Sequence, residues 1–119
     1  MSPANKIVAQ FQRLLLSRWK PTEFLLQKIE TSTGAGIPDL FLHCPIFTGW
    51  IEVKSDRDRL NEYQINWLLR YSRANGCAYV LTGTPTLYLL SVSPESVTQI
   101  NSQIKNPAEA GLLVTDWLR

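Results

Sequence analysis

The sequence predicts an α/β fold, in which helices flank a central mixed β-sheet and form a sandwich with it. Its 119 residues are 45% hydrophobic and 18% charged. A chain of this length and composition can bury one hydrophobic core but is too short for two. Segments of helical periodicity alternate with short apolar segments bounded by turn residues. No internal repeat, low-complexity segment or linker interrupts this order. We therefore expect a single domain spanning residues 1–119.

The first half of the chain predicts a helix followed by three strands. The helix begins with a cap at Ser2 and stops before Pro21. Its apolar positions recur at helical spacing: Ile7, Phe11, Leu14, Leu15 and Trp19. Residues 24–29 predict a strand that runs into a turn-rich segment, although a second helix can also be written there. Residues 40–42 and 50–53 predict a hairpin, with turn signals at Pro45 and Thr48-Gly49 between them.

The second half predicts a helix, two strands and a last helix. Residues 61–76 carry an N-cap, one apolar stripe and a C-terminal Asn-Gly pair. Residues 77–81 and 87–90 predict strands, and residues 94–104 predict the last helix. The tail from Lys105 has no clear pattern.

The net charge and the cysteine content indicate the cellular location of the protein but do not identify its binding partner. The net charge is +2, and ten of the twelve Lys and Arg residues lie between Lys6 and Arg73. This distribution predicts either a basic surface on one side or an ordinary mixed surface. Cys44 and Cys77 lack the spacing of a zinc site or a disulfide framework. The N-terminus has no charged segment followed by an apolar one, and no apolar run could span a bilayer, so we expect a protein that is cytoplasmic, or nuclear in a eukaryote, with no membrane partner. We also expect no small-molecule cofactor.

Two acidic residues, Asp39 and Glu52, lie in the apolar surroundings of the predicted hairpin. Side chains alternate along a strand, so Glu52 and Lys54 share one face. Asp39 begins the neighbouring strand, and Pro38 stiffens the approach to it. If the two strands pair, both carboxylates converge on one point. They would repel each other unless a divalent cation lay between them.

A hard cation such as Mg²⁺ or Mn²⁺ suits this site, because it takes oxygen ligands and keeps several waters. Lys54 could then steer or deprotonate an attacking water and offset charge that develops at phosphorus. The alternative is a surface ion pair between Glu52 and Lys54 on an edge strand, with Asp39 in a turn. The metal site is favoured by the ordered segments Gly36-Ile37-Pro38-Asp39 and Ile51-Glu52-Val53-Lys54.

These two segments resemble the motifs of the PD-(D/E)xK nucleases, and the residues after Lys54 resemble their VRR-NUC branch, the virus-type replication-repair nucleases. In that branch a leucine and a glutamine open the next helix, here Leu60 and Gln64, and a glycine precedes the next strand, here Gly76. The resemblance covers about residues 34–81. It implies a restriction-endonuclease-like sandwich that cleaves DNA with the help of a divalent metal.

The resemblance also implies roles for single residues. Asp39, Glu52 and the main-chain carbonyl of Val53 would bind the metal. Lys54 would orient the attacking water, and Gln64 would support the site from the helix. Asn61 and Gln64 also have the spacing of a capping box, in which the glutamine closes the helix N-terminus and has no catalytic role. Both interpretations of Gln64 are open at this point.

The first helix departs from the family pattern. Many relatives carry a glutamate there that joins the metal shell, whereas this helix has no acidic residue. Gln10 and Gln12 are the nearest substitutes. Whether the site takes one metal or two is therefore open.

An aromatic stripe on the second helix predicts either a buried face or a dimer. Tyr63, Trp67 and Tyr71 recur every four residues beside the apolar stripe. A 119-residue domain has limited interior for so wide a face. The family resemblance implies that stand-alone members are homodimers that cut four-way DNA junctions. This favours a homodimer here.

The leading hypothesis is a structure-selective endonuclease acting on branched DNA such as Holliday junctions, in the manner of a stand-alone phage-type nuclease. Backbone phosphates would be bound, without base readout, by four arginines that are also typical of a solvated helix face: Arg57, Arg59, Arg70 and Arg73. The alternative is a catalytically inactive DNA-binding or assembly module that retains the fold.

Overall fold

A computed structural model describes residues 1–29, 35–83 and 85–119 of the chain. The strands are β1 (Leu25–Lys28), β2 (Leu40–Cys44), β3 (Phe47–Lys54), β4 (Ala78–Thr82), β5 (Tyr88–Ser91) and β6 (Leu112–Leu113). The helices are α1 (Pro3–Arg18), α2 (Glu62–Arg73), α3 (Ile100–Lys105), α4 (Pro107–Ala110) and α5 (Val114–Trp117), and a 3₁₀ turn (Val97–Gln99) precedes α3. Most of the turn-rich segment predicted after residue 29 lies outside the described residues.

The described strands form one six-stranded sheet in the order β1-β2-β3-β4-β5-β6. Strands β3 and β4 pair in parallel, and α2 connects them. The other neighbouring strands pair antiparallel. The sheet is therefore mixed, with its one parallel pair at the centre.

Helices cover both faces of the sheet. On one face, α1 and α5 pack against apolar side chains of β2, β3 and β5. On the other face, α2 and α3 pack against β4 and β5. The predicted sandwich with a central mixed sheet flanked by helices is confirmed. No helix within the described ranges has both the length and the apolar character that a membrane crossing requires.

The helix ends form at the residues that the sequence indicated. The Ser2 hydroxyl accepts a hydrogen bond from the Asn5 main-chain N–H at 3.1 Å and caps α1. At the start of α2, Asn61 and Gln64 form a complete capping box. Past the end of α2, Asn75 takes a left-handed conformation with φ of 64°, which asparagine tolerates better than most residues.

Two sequence predictions about the fold were incomplete or wrong. The hairpin turn consists of Pro45 and Ile46 alone, and Thr48 and Gly49 lie inside β3. Gly49 is required there by close packing, because a Cβ would lie 2.1 Å from the Cys77 carbonyl oxygen. The last predicted helix begins later, as a 3₁₀ turn that continues into α3.

The tail that carried no sequence pattern completes the fold. Strand β6 pairs with β5 at the edge of the sheet. Helix α5 packs on α1, where the Trp117 and Phe11 rings stack with centroids 6.4 Å apart. Val114 and Leu118 are buried, so the tail contributes to the core.

Candidate active site

The antiparallel pairing of β2 with β3 brings Asp39 and Glu52 together. Leu40 pairs with Ile51, so Asp39 lies beside Glu52. The Asp39 main-chain N–H donates to Glu52 Oε1 at 3.2 Å, and the Val53 main-chain N–H donates to Asp39 Oδ2 at 2.9 Å. Each carboxylate is thus oriented by the backbone of the other strand.

The approach to Asp39 packs against the start of α2. Gly36 has a φ of +79°, and a Cβ there would lie 2.3 Å from the Tyr63 carbonyl oxygen. A side chain at this position would push the loop away from the helix. Pro38, next to Asp39, is buried. The loop that carries Asp39 is therefore fixed to the same helix end that carries Gln64.

Gln64 makes the contacts that both interpretations of it require. Its Oε1 accepts from the Asn61 main-chain N–H at 2.9 Å, which completes the capping box. Its Nε2 donates to Glu52 Oε2 at 2.8 Å. Lys54 approaches the same carboxylate oxygen, with Nζ 3.5 Å from it. The amide of Gln64 thus joins the helix N-terminus to the carboxylate pair.

Glu52 is only 1% exposed, and its pKa is raised from 4.5 to about 8. Burial is the largest cause, because it penalises the charged form. The negative charge of Asp39 raises the pKa further, and the Lys54 ammonium opposes the shift. Without a further cation, Glu52 therefore holds a proton at neutral pH.

A cleft of about 260 Å³ opens in front of the carboxylates. Besides the residues already described, two polar side chains that the sequence analysis missed line this cleft: Asn5 from α1 and Lys28 from β1. Lys28 Nζ donates to Asn5 Oδ1 at 3.4 Å. Gln10 is not a substitute for the missing acid, because its side-chain amide contacts the Pro85 carbonyl oxygen and lines another groove. Gln12 is exposed.

The donor set of the cleft fits a hard divalent cation. Asp39 and Glu52 offer carboxylate oxygens on one side of an open space, and Val53 also lines it. Within the described ranges, no group of three or more His, Cys, Asp or Glu side chains could hold a metal. Water would therefore have to fill most of the coordination shell, which is how Mg²⁺ is commonly bound.

The four arginines lie in two places. Arg57 follows β3 and lines a groove with Pro3 and Lys6 of α1. Arg59 Nη1 donates to the Asp58 carbonyl oxygen at 2.6 Å, within the same loop. Arg70 and Arg73 lie in the last turn of α2, about 9 and about 14 Å from Gln64 along the helix axis. The structure therefore places the first pair near the cleft and the second pair at the far end of α2.

The aromatic stripe of α2 is only partly covered. Trp67 meets Trp50 edge-on at 5.6 Å and stacks with Tyr71 at 5.2 Å. Trp67, Arg70 and Tyr71 line a surface groove of about 300 Å³. Tyr63 is 67% exposed.

Comparison of the fold defines the class of protein first. The structure resembles that of Hjc from Archaeoglobus fulgidus, described as a Holliday junction resolvase from an archaeal hyperthermophile. The TM-score is 0.57 at 16% identity, and the match covers 93% of this chain and 99% of Hjc. The two chains therefore share a fold, the restriction-endonuclease-like fold.

Comparison of the sequence then gives the family. The profile of the VRR-NUC domain matches residues 3–85, and the chain belongs to that family. The resemblance drawn from residues 34–81 is confirmed, and the match extends it to α1 and β1. No curated protein sequence matches this chain.

Proposed function

We propose that the protein is a divalent-metal-dependent, structure-selective endonuclease that hydrolyses phosphodiester bonds in branched DNA. One observation carries this proposal: in a VRR-NUC fold, the carboxylates of Asp39 and Glu52 meet in an open cleft beside Lys54 and Gln64. Two carboxylates held this close, one of them buried, can both be ionised at neutral pH only if a cation compensates their charge.

The metal ligands in this proposal are Asp39, Glu52 and the Val53 main-chain carbonyl. A bound Mg²⁺ or Mn²⁺ would lower the pKa of water and offset negative charge on the phosphate. Gln64 orients the Glu52 carboxylate through its amide hydrogen bond. The Lys54 ammonium, 3.5 Å from Glu52, acts on the attacking water and on charge that develops at phosphorus.

The DNA backbone would be held by dispersed basic residues and not by base contacts. Arg57 and Arg59 lie in the loop that leaves β3, directly after Lys54. Arg70 and Arg73 extend the positive charge along α2. Hjc, whose fold is similar, is a Holliday junction resolvase, which supports a four-way junction as the preferred substrate. A homodimer would supply one active site for each of two strands.

The test is incubation with labelled linear, flap and four-way-junction DNA, each with EDTA, Mg²⁺ or Mn²⁺. We expect cleavage only with metal, and fastest on the junction. Asp39→Asn should abolish cleavage, because the amide removes the charge that binds the metal. It should keep its fold, because the amide oxygen can still accept from the Val53 N–H.

The matched control is Asp116→Asn, an acid in α5 that makes an exposed ion pair with Arg119. It should cleave like the parent. Cleavage by Asp39→Asn in EDTA would contradict the metal site. Junction binding without cleavage in any metal would instead favour the inactive DNA-binding module.

A further inference from the structure

A lysine and an asparagine face the candidate active site from the side opposite Lys54, and the proposed mechanism leaves them without a role. Lys28 is the last residue of β1 and pairs with Leu40, the residue after Asp39. Because directly paired residues in an antiparallel sheet share a face, Lys28 lies on the α1 side of the sheet. Both Lys28 and Asp39 line the cleft.

Asn5 holds the Lys28 side chain at that place. It lies in the first turn of α1, where its main-chain N–H is bound by the Ser2 hydroxyl at 3.1 Å. The Asn5 Oδ1 accepts from Lys28 Nζ at 3.4 Å. The cap fixes the asparagine, and the asparagine directs the ammonium. No hydrogen-bond acceptor of full negative charge ties up the lysine in this contact.

The charges around the cleft balance in a way that disfavours a second divalent ion. The lining residues include two carboxylates, Asp39 and Glu52, and two ammonium groups, Lys28 and Lys54. The α1 residues that line the cleft, Ala4, Asn5 and Val8, carry no charge. Among the described lining residues, an ion on that side would therefore meet the Lys28 ammonium and no further carboxylate. Lys28 is exposed, so water weakens the repulsion between its ammonium and such an ion, but the repulsion still disfavours a second divalent ion on the α1 side.

We propose that Lys28, directed by Asn5, is a second phosphate-binding cation of this site and that the cleft takes a single divalent ion. The proposal rests on the proposed nuclease function for its substrate. Lys28 would contact a non-bridging oxygen of the phosphate from the α1 side while Lys54 acts from the β3 end. In relatives with a glutamate on the first helix, that carboxylate would recruit a metal. Here Lys28 would supply the positive charge instead.

The first measurement is calorimetric titration of Mn²⁺ into DNA-free protein. We expect one ion per chain for the parent and for Lys28→Met, which keeps the length of the side chain and removes its charge. The matched control is Lys20→Met, an exposed lysine just beyond the C-terminal end of α1, which lies about 20 Å from Asn5 along the helix axis. Two ions per parent chain would overturn the proposal.

The second measurement is single-turnover cleavage of junction DNA at saturating Mn²⁺. Lys28→Met should reduce the rate by about 10²-fold, the effect of removing one group that stabilises transition-state charge. Lys28→Arg should restore most of the rate, and Lys20→Met should cleave like the parent. If Lys28→Met cleaves as fast as Lys20→Met, the lysine does not contact the reacting phosphate and the proposal is wrong.

Failure of the nuclease function itself gives a different result. If no DNA is cut by any variant, affinity for fluorescent junction DNA in Ca²⁺ replaces the rate. Lys28→Met should then bind at least about threefold more weakly than Lys20→Met, since each lost phosphate contact lowers affinity. Equal affinities would overturn the role of Lys28, and a weaker Lys28→Met would retain it in a binding module.

Discussion

At the scale of the residue, Glu52 shows what burying a charge costs. Its carboxyl group is 1% exposed and accepts hydrogen bonds from the Asp39 N–H and from Gln64. Those bonds favour the charged form, yet burial and the charge of Asp39 raise the pKa to about 8. A group with a raised pKa in the folded protein makes stability depend on pH.

We expect the metal-free protein to lose stability as pH rises from 4.5 towards about 8. In that window the unfolded chain releases the Glu52 proton and the folded chain keeps it, so rising pH favours unfolding. The slope from this one group is at most about 1.4 kcal/mol per pH unit. Denaturant unfolding in EDTA at several pH values measures it, and Mg²⁺ should flatten the curve.

The matched comparison is between Glu52→Gln and Glu109→Gln. The first should remove most of this slope, whatever it does to absolute stability. The second changes an exposed acid in α4 and should leave the slope unchanged. Equal slopes in both variants would show that Glu52 is already ionised in the metal-free fold.

Lys54→Ala should separate cleavage from binding. The ammonium lies 3.5 Å from Glu52 Oε2. In the proposed mechanism it acts on the attacking water and on the charge that develops at phosphorus. Its loss should lower the cleavage rate by roughly 10²–10⁴-fold, as for a lost acid–base partner. Junction affinity and its salt dependence should change little, because several basic residues share the phosphate contacts.

Both quantities are measured on one junction substrate in one buffer, with Lys20→Ala as the control. The fold should be kept, since Lys54 is half-buried at the end of β3, next to a polar loop. A collapse of affinity with an unchanged rate in the bound fraction would make Lys54 a phosphate anchor instead.

At the scale of the element, the first turn of α2 joins helix stability to the site. Asn61→Ala removes only the cap and should lower the free energy of unfolding by about 1 kcal/mol. Gln64→Ala removes the other half of the capping box and also the amide that donates to Glu52. We therefore expect both variants to lose stability but a much lower cleavage rate only in Gln64→Ala.

Chemical denaturation and single-turnover cleavage, run on both variants, provide this comparison. Parent-like rates in both variants would mean that Gln64 is a helix cap and nothing more. A rate that falls in both variants by the same factor would place the effect in the whole helix end, which also supports the loop at Gly36.

The convergence of Asp39, Glu52 and Lys54 was predictable because it depends on local rules. Alternation along β3 places Glu52 and Lys54 on one face, and hairpin pairing places Asp39 beside them. Both rules act within one short segment of chain. The observed hydrogen bonds and the ion pair among these side chains agree with both rules.

Lys28 and Asn5 were not predictable in the same way. Their contact joins the start of α1 to the end of β1, and it exists only once the helix lies across the sheet. No spacing within either element signals it. The tail failed for another reason: β6 has two residues, too few to show any alternation, and its place is decided by pairing with β5.

At the scale of the whole molecule, the surface groove of α2 lined by Trp67, Arg70 and Tyr71, here called the aromatic groove, is a candidate dimer interface. Trp67 is half-buried against Trp50, and the half-buried Tyr71 stacks on Trp67, so part of the stripe belongs to the fold. Tyr63 is 67% exposed, and the groove beside Trp67 stays open. The sequence left core burial and a dimer as alternatives, and the fold accounts for only the covered part of the stripe.

We predict a symmetric homodimer in solution that covers the aromatic side of this groove, Trp67 and Tyr71, and leaves Arg70 at the edge of the interface for DNA. A two-fold interface uses the same patch on both copies, and a two-fold pair of active sites matches the symmetry of a four-way junction. Sedimentation equilibrium at micromolar concentration should give twice the 13.5 kDa mass of the chain. A mass of 13.5 kDa at all concentrations would show that the aromatic helix is simply part of the monomer.

Two surface variants locate the interface. Tyr63→Arg places a charge on the exposed end of the aromatic stripe and should shift the protein to the monomer without unfolding it, because Tyr63 makes little contact with the core. Leu16→Arg places the same charge on α1, at a leucine that is 45% exposed, and should leave the dimer intact. If the dimer survives Tyr63→Arg and dissociates with Leu16→Arg, the two copies meet through α1. The aromatic groove would then remain an open surface in the dimer.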